Sequence, residues 1–97
     1  MADDRPALPE FLTEAEDGSI AVTLRRAFTV DGVAVRSITL REPCVDDRIA
    51  AEKAGTSDME REIVLVGNLA EIDPAQIRRL PMKDYGRVQE ALRFFLG

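Results

Sequence analysis

The sequence predicts an α+β fold, with an N-terminal β-hairpin (about 20–41) packed on three to four α-helices. Apolar residues alternate over residues 20–30, as they do in a half-buried strand, and an Asp-Gly pair follows them. From residue 45 onward the apolar residues recur at helical spacing, behind Ser, Asp and Pro residues that suit helix starts. A length of 97 residues fits a single small domain, which we expect over residues 18–97.

The hairpin needs a turn and a local irregularity. Asp31-Gly32 supplies the two residues of a type I′ turn, in which both central residues have positive φ. On the returning strand Val35 and Ile38 are three residues apart, so a regular ladder would place them on opposite faces. We therefore expect a β-bulge with one extra residue, near Arg36-Ser37 or near Arg26-Ala27.

Four helical segments are predicted, at about 45–54, 58–71, 74–80 and 82–96. Ser57 with Glu60 forms a capping box at the second, and Asp73-Pro74 starts the third. The second helix is apolar over about half its circumference, which places it at the centre of the core. The last helix has one apolar stripe, formed by Met82, Tyr85, Val88, Leu92, Phe95 and Leu96. Phe94 lies outside this stripe.

The composition of residues 1–17 predicts a disordered acidic arm. They contain six carboxylates, one arginine and two prolines, with few apolar residues to bury. The alternative is an acidic segment that attracts a basic partner.

Composition excludes several classes of function. The net charge of −5 argues against nucleic acid and against an anionic membrane surface. The chain has no histidine, and Cys44 is its one cysteine, so the usual catalytic triads, most zinc sites and an internal disulfide are excluded. We expect no enzyme, no cofactor and no metal. We see no leader and no spanning segment, so we expect a cytoplasmic protein.

The charged clusters have ordinary structural interpretations beside the functional ones. Asp46 and Asp47 are adjacent, which makes a poor acid–base pair but a good helix start. The hairpin carries four arginines: Arg25, Arg26, Arg36 and Arg41. They form either a solvated outer face with salt bridges, or a basic strip that binds a phosphate or an acidic segment of a partner.

Apolar residues outside the core stripes are candidates for partner contact. Val64 falls outside the apolar arc of its helix, and Phe94 to Gly97 places bulky apolar groups at the C-terminus. Such residues are either stray surface residues or a contact surface for an amphipathic helix.

Several short motifs follow one another along residues 20–97: Leu40 to Pro43, Asp47, Asp84-Tyr85 and Phe95-Leu96. Their order resembles that of the small tail assembly chaperones of Mu-like and related contractile-tailed phages. The pattern of that family has a hairpin with a Gly turn, an LTLREPT string, an Asp, an apolar helix, an Asp-Tyr pair and a terminal Phe-Leu. Cys44 departs from the pattern, where threonine is expected, and makes a poorer helix cap.

The resemblance implies a non-enzymatic protein that binds the tape measure protein, with other tail proteins as further candidates, in the host cytoplasm. It implies absence from the mature virion and a −1 frameshifted longer form, for which Arg93-Phe94-Phe95 permits a slippery site. For self-association we expect at most a weak homo-oligomer. Our hypothesis for the partner-binding residues is a set near the last helix: Val64, Tyr85, Phe94, Phe95 and Leu96.

A small bacterial adaptor or inhibitor domain that binds another protein is the alternative. The acidic charge fits both. Gene neighbourhood separates them, because a chaperone gene should precede a very long helical reading frame.

Overall fold

The computed structural model describes residues 8–96 and contains a three-stranded antiparallel sheet followed by four helices. The elements are β1 (Leu12–Glu14), β2 (Ile20–Val30), β3 (Val33–Leu40), α1 (Val45–Ala54), α2 (Asp58–Ala70), α3 (Pro74–Ile77) and α4 (Met82–Leu96). The predicted α+β class is confirmed, and the hairpin gains an additional strand at its N-terminal side.

The first strand, β1, corrects the prediction of a disordered arm over residues 1–17. It pairs with β2 through Leu12 opposite Val22, so the strand order is β1-β2-β3. Leu12 is buried in the core, and Leu8 and Phe11 pack against it. Three apolar side chains thus suffice to hold an acidic segment on the domain. Residues 1–7 of the predicted arm lie outside the described residues.

The hairpin turn is confirmed, since Asp31 and Gly32 have φ values of 51° and 81°. The irregularity lies at one of the two predicted places but is larger than predicted. Thr23 pairs with Ser37 and Phe28 with Val35, so residues 24–27 of β2 stand opposite one residue of β3. This bulge therefore has three extra residues instead of one.

Helix boundaries follow the predicted caps. The Oγ of Ser57 accepts the Glu60 N–H at 3.1 Å, and Asp73 Oδ1 accepts the Ala75 N–H at 2.8 Å. Helices α1 and α4 have the predicted bounds, and α2 ends one residue early, where Glu71 turns left-handed at φ 58°. Helix α3 is shorter than the predicted 74–80, because the chain leaves it in a tighter turn that bonds the Leu80 N–H to the Ile77 carbonyl at 3.1 Å.

The LREP motif ties the sheet to α1 by an ion pair. Both terminal nitrogens of Arg41 donate to Asp47, at 2.6 and 2.7 Å, and Asp47 Oδ2 also accepts the N–H of Cys44 at 2.8 Å. These bonds hold the pKa of the Asp47 carboxyl well below its ordinary value. Asp47 therefore fastens the start of α1 despite the weak cap at Cys44, and α1 begins at Val45 as predicted.

Helix α2 lies at the centre of the core, as predicted. It packs against α1, α3 and β3, and its C-terminal end meets α3 at Gly67. A Cβ at Gly67 would lie 2.7 Å from the carbonyl oxygen of Ile72, so no larger residue fits there without movement. Gly86 of α4, by contrast, has open space at the same position.

Candidate docking surfaces on the helices

A groove of about 690 Å³ runs between α1, α2 and α4. Its apolar floor consists of four side chains: Ala51, Leu65, Leu92 and Leu96. Leu96, at the end of the groove, is 54% exposed. Its rim carries charges of both signs together with one amide: Arg48, Glu52, Asp58, Arg61, Glu62, Gln89 and Arg93. We call this feature the helix groove.

Four of the six charged residues on the rim of the helix groove pair with one another. Arg61 contacts Asp58 at 2.6 Å and Glu52 at 3.8 Å, while Arg48 contacts Glu52 at 3.6 Å. Paired charges leave little net field over the groove, so its apolar floor governs what can bind. The groove is suited to the apolar face of an amphipathic helix.

A second depression, of about 230 Å³, lies between the first turns of α2 and α4 and the helix α3. We call it the methionine socket, after the two exposed methionines on it: Met82, which is 73% exposed, and Met59. The other lining residues are Ile63, Ile77, Arg78, Leu80 and Tyr85. Methionine is flexible and polarizable, so such a surface adapts to differently shaped apolar partners.

Tyr85 belongs to the core at the floor of this socket. It is only 3% exposed, and its hydroxyl donates to Glu62 Oε2 at 2.8 Å. Glu62 also accepts from the Gln89 side chain at 3.0 Å. Burial and the neighbouring carboxylate raise the pKa of the Tyr85 phenol above its ordinary value of 10. Tyr85 thus offers a partner almost no surface.

The five predicted contact residues do not form one surface. Leu96 lies in the helix groove and Tyr85 beneath the methionine socket, about 16 Å away along α4 at 1.5 Å per residue. Phe94 and Phe95 are half-buried and pack against the core, and Val64 is half-buried on α2. Phe94 shares a helix face with Arg87, whose guanidinium lies 4.8 Å from the Phe11 ring centre. At Arg87 this face meets the N-terminal segment.

Sequence reasoning missed the exposed methionines. Met82 fits the periodic stripe of α4 and Met59 fits the arc of α2, so both were assigned to the core. The signal that could have separated them is position, because each lies in the first turn of its helix, at the edge of the packed region.

The Asp84-Tyr85 pair has a structural role. Asp84 is 1% exposed, and its Oδ1 accepts the backbone N–H of Arg25 at 2.9 Å and the Arg25 Nε at 3.1 Å. Arg25 lies inside the bulge, where its N–H has left the regular ladder. Asp84 therefore fastens the bulge to α4, and Tyr85 fastens α4 to α2.

The arginines of the hairpin support the structural interpretation of that cluster. Arg25 pairs with Asp84, and Arg41 pairs with Asp47. Within residues 8–96 there is no group of three or more metal-ligating side chains. In the same part of the chain, no helix is long and apolar enough to cross a bilayer.

Comparison with known proteins assigns a family. The family model described as "Phage tail assembly chaperone proteins, E, or 41 or 14" matches residues 21–97, which are 77 of the 97 residues. Neither a curated protein nor a solved structure matches the chain. The family match begins within β2 and includes β3, all four helices, the LREP motif and both depressions. The chain therefore belongs to the family of phage tail assembly chaperone proteins.

Proposed function

We propose that this protein binds the tape measure protein of a phage or prophage and keeps it soluble until the tail tube assembles around it. The observation that supports this most is the family match, which covers nearly all of the folded chain. A tail assembly chaperone needs a tail protein as client, and a long, helical, apolar protein is the one most in need of cover.

The helix groove offers a physical means of binding such a client. The groove extends along α4 from Gln89 to Leu96, about 10 Å or two helical turns. Ala51, Leu65 and Leu92 are each at most 7% exposed, so an amphipathic client helix in this groove would place its apolar side chains mainly on Leu96. In this proposal Leu96 is the contact residue, and the half-buried Phe94, Phe95 and Val64 do not line the groove.

A contact of this size is weak for each copy, and that weakness suits the role. Many copies along one client give a large combined affinity, yet each copy can leave when the tail tube replaces it. We accordingly propose that the protein acts in the host cytoplasm and is absent from the mature virion. We also propose that it acts by binding and has no enzymatic activity, as the chaperone family suggests.

We further propose that a −1 frameshift near Arg93-Phe94-Phe95 yields a longer form. The DNA from the Arg93 codon onward tests this directly. A slippery heptamer with an overlapping −1 frame supports it, whereas codons that cannot slip refute it and leave the binding proposal unaffected.

Binding itself is tested with a matched pair of substitutions. Leu96→Gln should weaken binding to apolar helical segments of the client about ten-fold, because it places an amide on the groove floor. Val33→Gln makes the same change at a valine that is 61% exposed on the hairpin tip, and should leave binding unchanged. Equal affinities for the wild type and Leu96→Gln would refute the groove as the client site.

A further inference from the structure

Strand β3 has an outer edge that no other strand of residues 8–96 covers, since the strand order is β1-β2-β3. On its inner side β3 pairs with β2, where Ser37 stands opposite Thr23. The Thr23 N–H donates to the Phe11 carbonyl at 2.8 Å, on the far side from β3. Opposite residues of an antiparallel pair exchange either both backbone bonds or neither, so the N–H and C=O of Ser37 point to the outer edge.

The end of β3 gives the same direction independently. Just beyond it, the Arg41 N–H donates to the Leu69 carbonyl of α2 at 3.1 Å, on the side away from β2. Backbone groups along a strand alternate in direction, so those of Thr39 and Ser37 point the same way as those of Arg41. In the described part of the chain, neither Ser37 nor Thr39 has a backbone partner on this edge. The edge therefore offers two donors and two acceptors at the spacing of a β-ladder.

A cavity of about 420 Å³ lies along this edge, and we call it the edge cleft. Consecutive residues of β3 line it, 37–39, although side chains alternate between the faces of a strand, which indicates that the cavity lies at the strand's edge. The opposite wall is the end of α2 and the turn after it, residues 69–72. From Val35 to Thr39 the cleft is about 13 Å long, the length of about four residues of a strand.

Hydrogen bonds close the edge cleft at both ends. One end is the bond between Arg41 and Leu69. Beyond the other end, the Gln76 side chain accepts the Asp31 N–H at 3.2 Å and donates to the Asp31 carboxylate at 2.7 Å. A bound segment must therefore be short and must enter from the solvent.

The walls of the edge cleft are aliphatic. Val30 and Val35 lie on the hairpin side and Ala70 and Ile72 on the helix side, and all four are half-buried. Every second side chain of an added strand would face the helix side. Aliphatic side chains at alternate positions would complete the burial of these four residues.

The charges beside the edge cleft differ between its two ends. Arg36 lies between two lining residues, and Arg26 lies in the bulge opposite it. Both are exposed, and neither forms an ion pair with a carboxylate of residues 8–96. The carboxylates of Asp17 and Glu71 line the cleft at its other end, near Arg41. An acidic side chain is therefore favoured at the Arg36 end.

We propose that the edge cleft binds a short extended segment of a partner protein, which adds to β3 as an antiparallel strand. The segment has aliphatic side chains at alternate positions and an acidic residue at its C-terminal end, beside Arg36. The strands of residues 8–96 already pair with one another, so the segment comes from a different protein. This goes beyond the proposed function, because the segment is extended and the helix groove lies elsewhere, between α1, α2 and α4.

The probe for the test is a blocked five-residue peptide of alternating valine and threonine that ends in glutamate. Its binding to the isolated chain is followed by NMR up to about 5 mM, a range that detects so small a contact. The amide signals of Ser37 and Thr39 should shift. The same peptide with a terminal lysine should bind about two-fold more weakly or worse.

Two proline variants separate the strand edge from the rest of the hairpin. Thr39→Pro removes an outward N–H at an edge position, where proline is tolerated, and should weaken binding about five-fold. Thr29→Pro is the matched control. Thr29 is exposed and stands opposite Ala34, one pair from the two-residue turn, so its N–H points away from β3 and binding should be unchanged. Circular dichroism checks that both variants are folded.

N-methylation of alternate peptide amides tests the added strand without changing the protein. Methyl groups on the amides that face β3 should abolish binding, and methyl groups on the other set should not. A peptide that tolerates both sets would overturn the proposal, as would absence of binding, shifts confined to the helix groove, equal binding by Thr39→Pro and the wild type, or undiminished binding with a terminal lysine.

Self-association of the isolated chain that Thr39→Pro abolishes would also overturn the proposal, because the occupant would then be a second copy. Failure of the client-binding function shows separately, in the comparison of Leu96→Gln with Val33→Gln.

Discussion

Removing the buried carboxylate of Asp84 should destabilise the domain more than any change to an exposed acid. In the wild type this carboxylate accepts two hydrogen bonds from Arg25, one of them from the backbone inside the bulge. Asp84→Ala removes both bonds and leaves the Arg25 N–H without its partner.

The expected loss follows from those two bonds. Hydrogen bonds to charged groups contribute about 1.5–3 kcal/mol each, but the Arg25 side chain is 30% exposed, so water replaces part of its bond. We therefore expect Asp84→Ala to lower the free energy of unfolding by about 3 kcal/mol. For a domain of this size that corresponds to a fall in Tm of roughly 15 °C.

Urea unfolding followed by circular dichroism measures this loss, and two variants act as controls. Asp46→Ala removes an exposed carboxylate from the first turn of α1 and should cost under about 1 kcal/mol, the usual contribution of such a charge near a helix start. Arg25→Ala keeps the backbone bond to Asp84 and should cost less than Asp84→Ala. A loss for Asp84→Ala no larger than that for Asp46→Ala would refute the argument that the bulge is fastened through this carboxylate.

Three further predictions concern packing and titration. Gly67→Ala should lower Tm, because the new Cβ would lie 2.7 Å from a carbonyl oxygen. Gly86→Ala has open space and should raise the free energy of unfolding by about 0.5–1 kcal/mol. Thermal unfolding compares the two variants, and equal effects would contradict the close contact at Gly67. Tyr85, the one tyrosine, should remain protonated above pH 10 in the folded chain, so its contribution to stability is full below that pH and is lost as alkali ionises the phenol. Ultraviolet titration of the folded protein tests this. Ionisation at the ordinary pKa of tyrosine would contradict it. Asp47, with its lowered pKa, should stabilise the fold fully above a pH of about 4 and progressively less as the pH falls below that value. Asp47→Asn should therefore reduce the dependence of unfolding on acid pH. Acid unfolding curves that are the same for the wild type and Asp47→Asn would contradict this prediction.

Local signals predicted the helices well. The starts of α2 and α3 are encoded by a residue and its neighbours two or three positions on, as at Ser57 and Asp73. The bounds of α1 could likewise be predicted from its acidic first turn and from Gly55, and those of α4 from Pro81 and an apolar stripe. Interactions of this range are visible in the sequence itself.

Features that depend on distant residues were not predicted. The spacing of Val35 and Ile38 predicted where the bulge lies, but the partner of its backbone is Asp84, which is 59 residues from Arg25. Strand β1 was missed because its acidic composition outweighed Leu12, whose burial depends on its pairing with Val22. Long-range partners of this kind decide between an ordered and a disordered segment.

The sequence groups contact candidates that the structure places in different surroundings. Leu96 lies in the helix groove, whereas Tyr85 lies in the core. A helical stripe shows which residues share a face, but the depth of burial depends on what other elements cover. The groove is formed by three helices, so no single helix pattern could reveal it.

The most direct test of the central claim is the solubility of the client with and without this chain. The proposed client, the tape measure protein, is expressed alone, with the wild type and with Leu96→Gln, and the soluble client is quantified after centrifugation. We predict that the client is insoluble alone, soluble in a complex with the wild type, and less soluble with Leu96→Gln. A client that stays insoluble beside the wild type, or that is equally soluble alone, would contradict the proposed role.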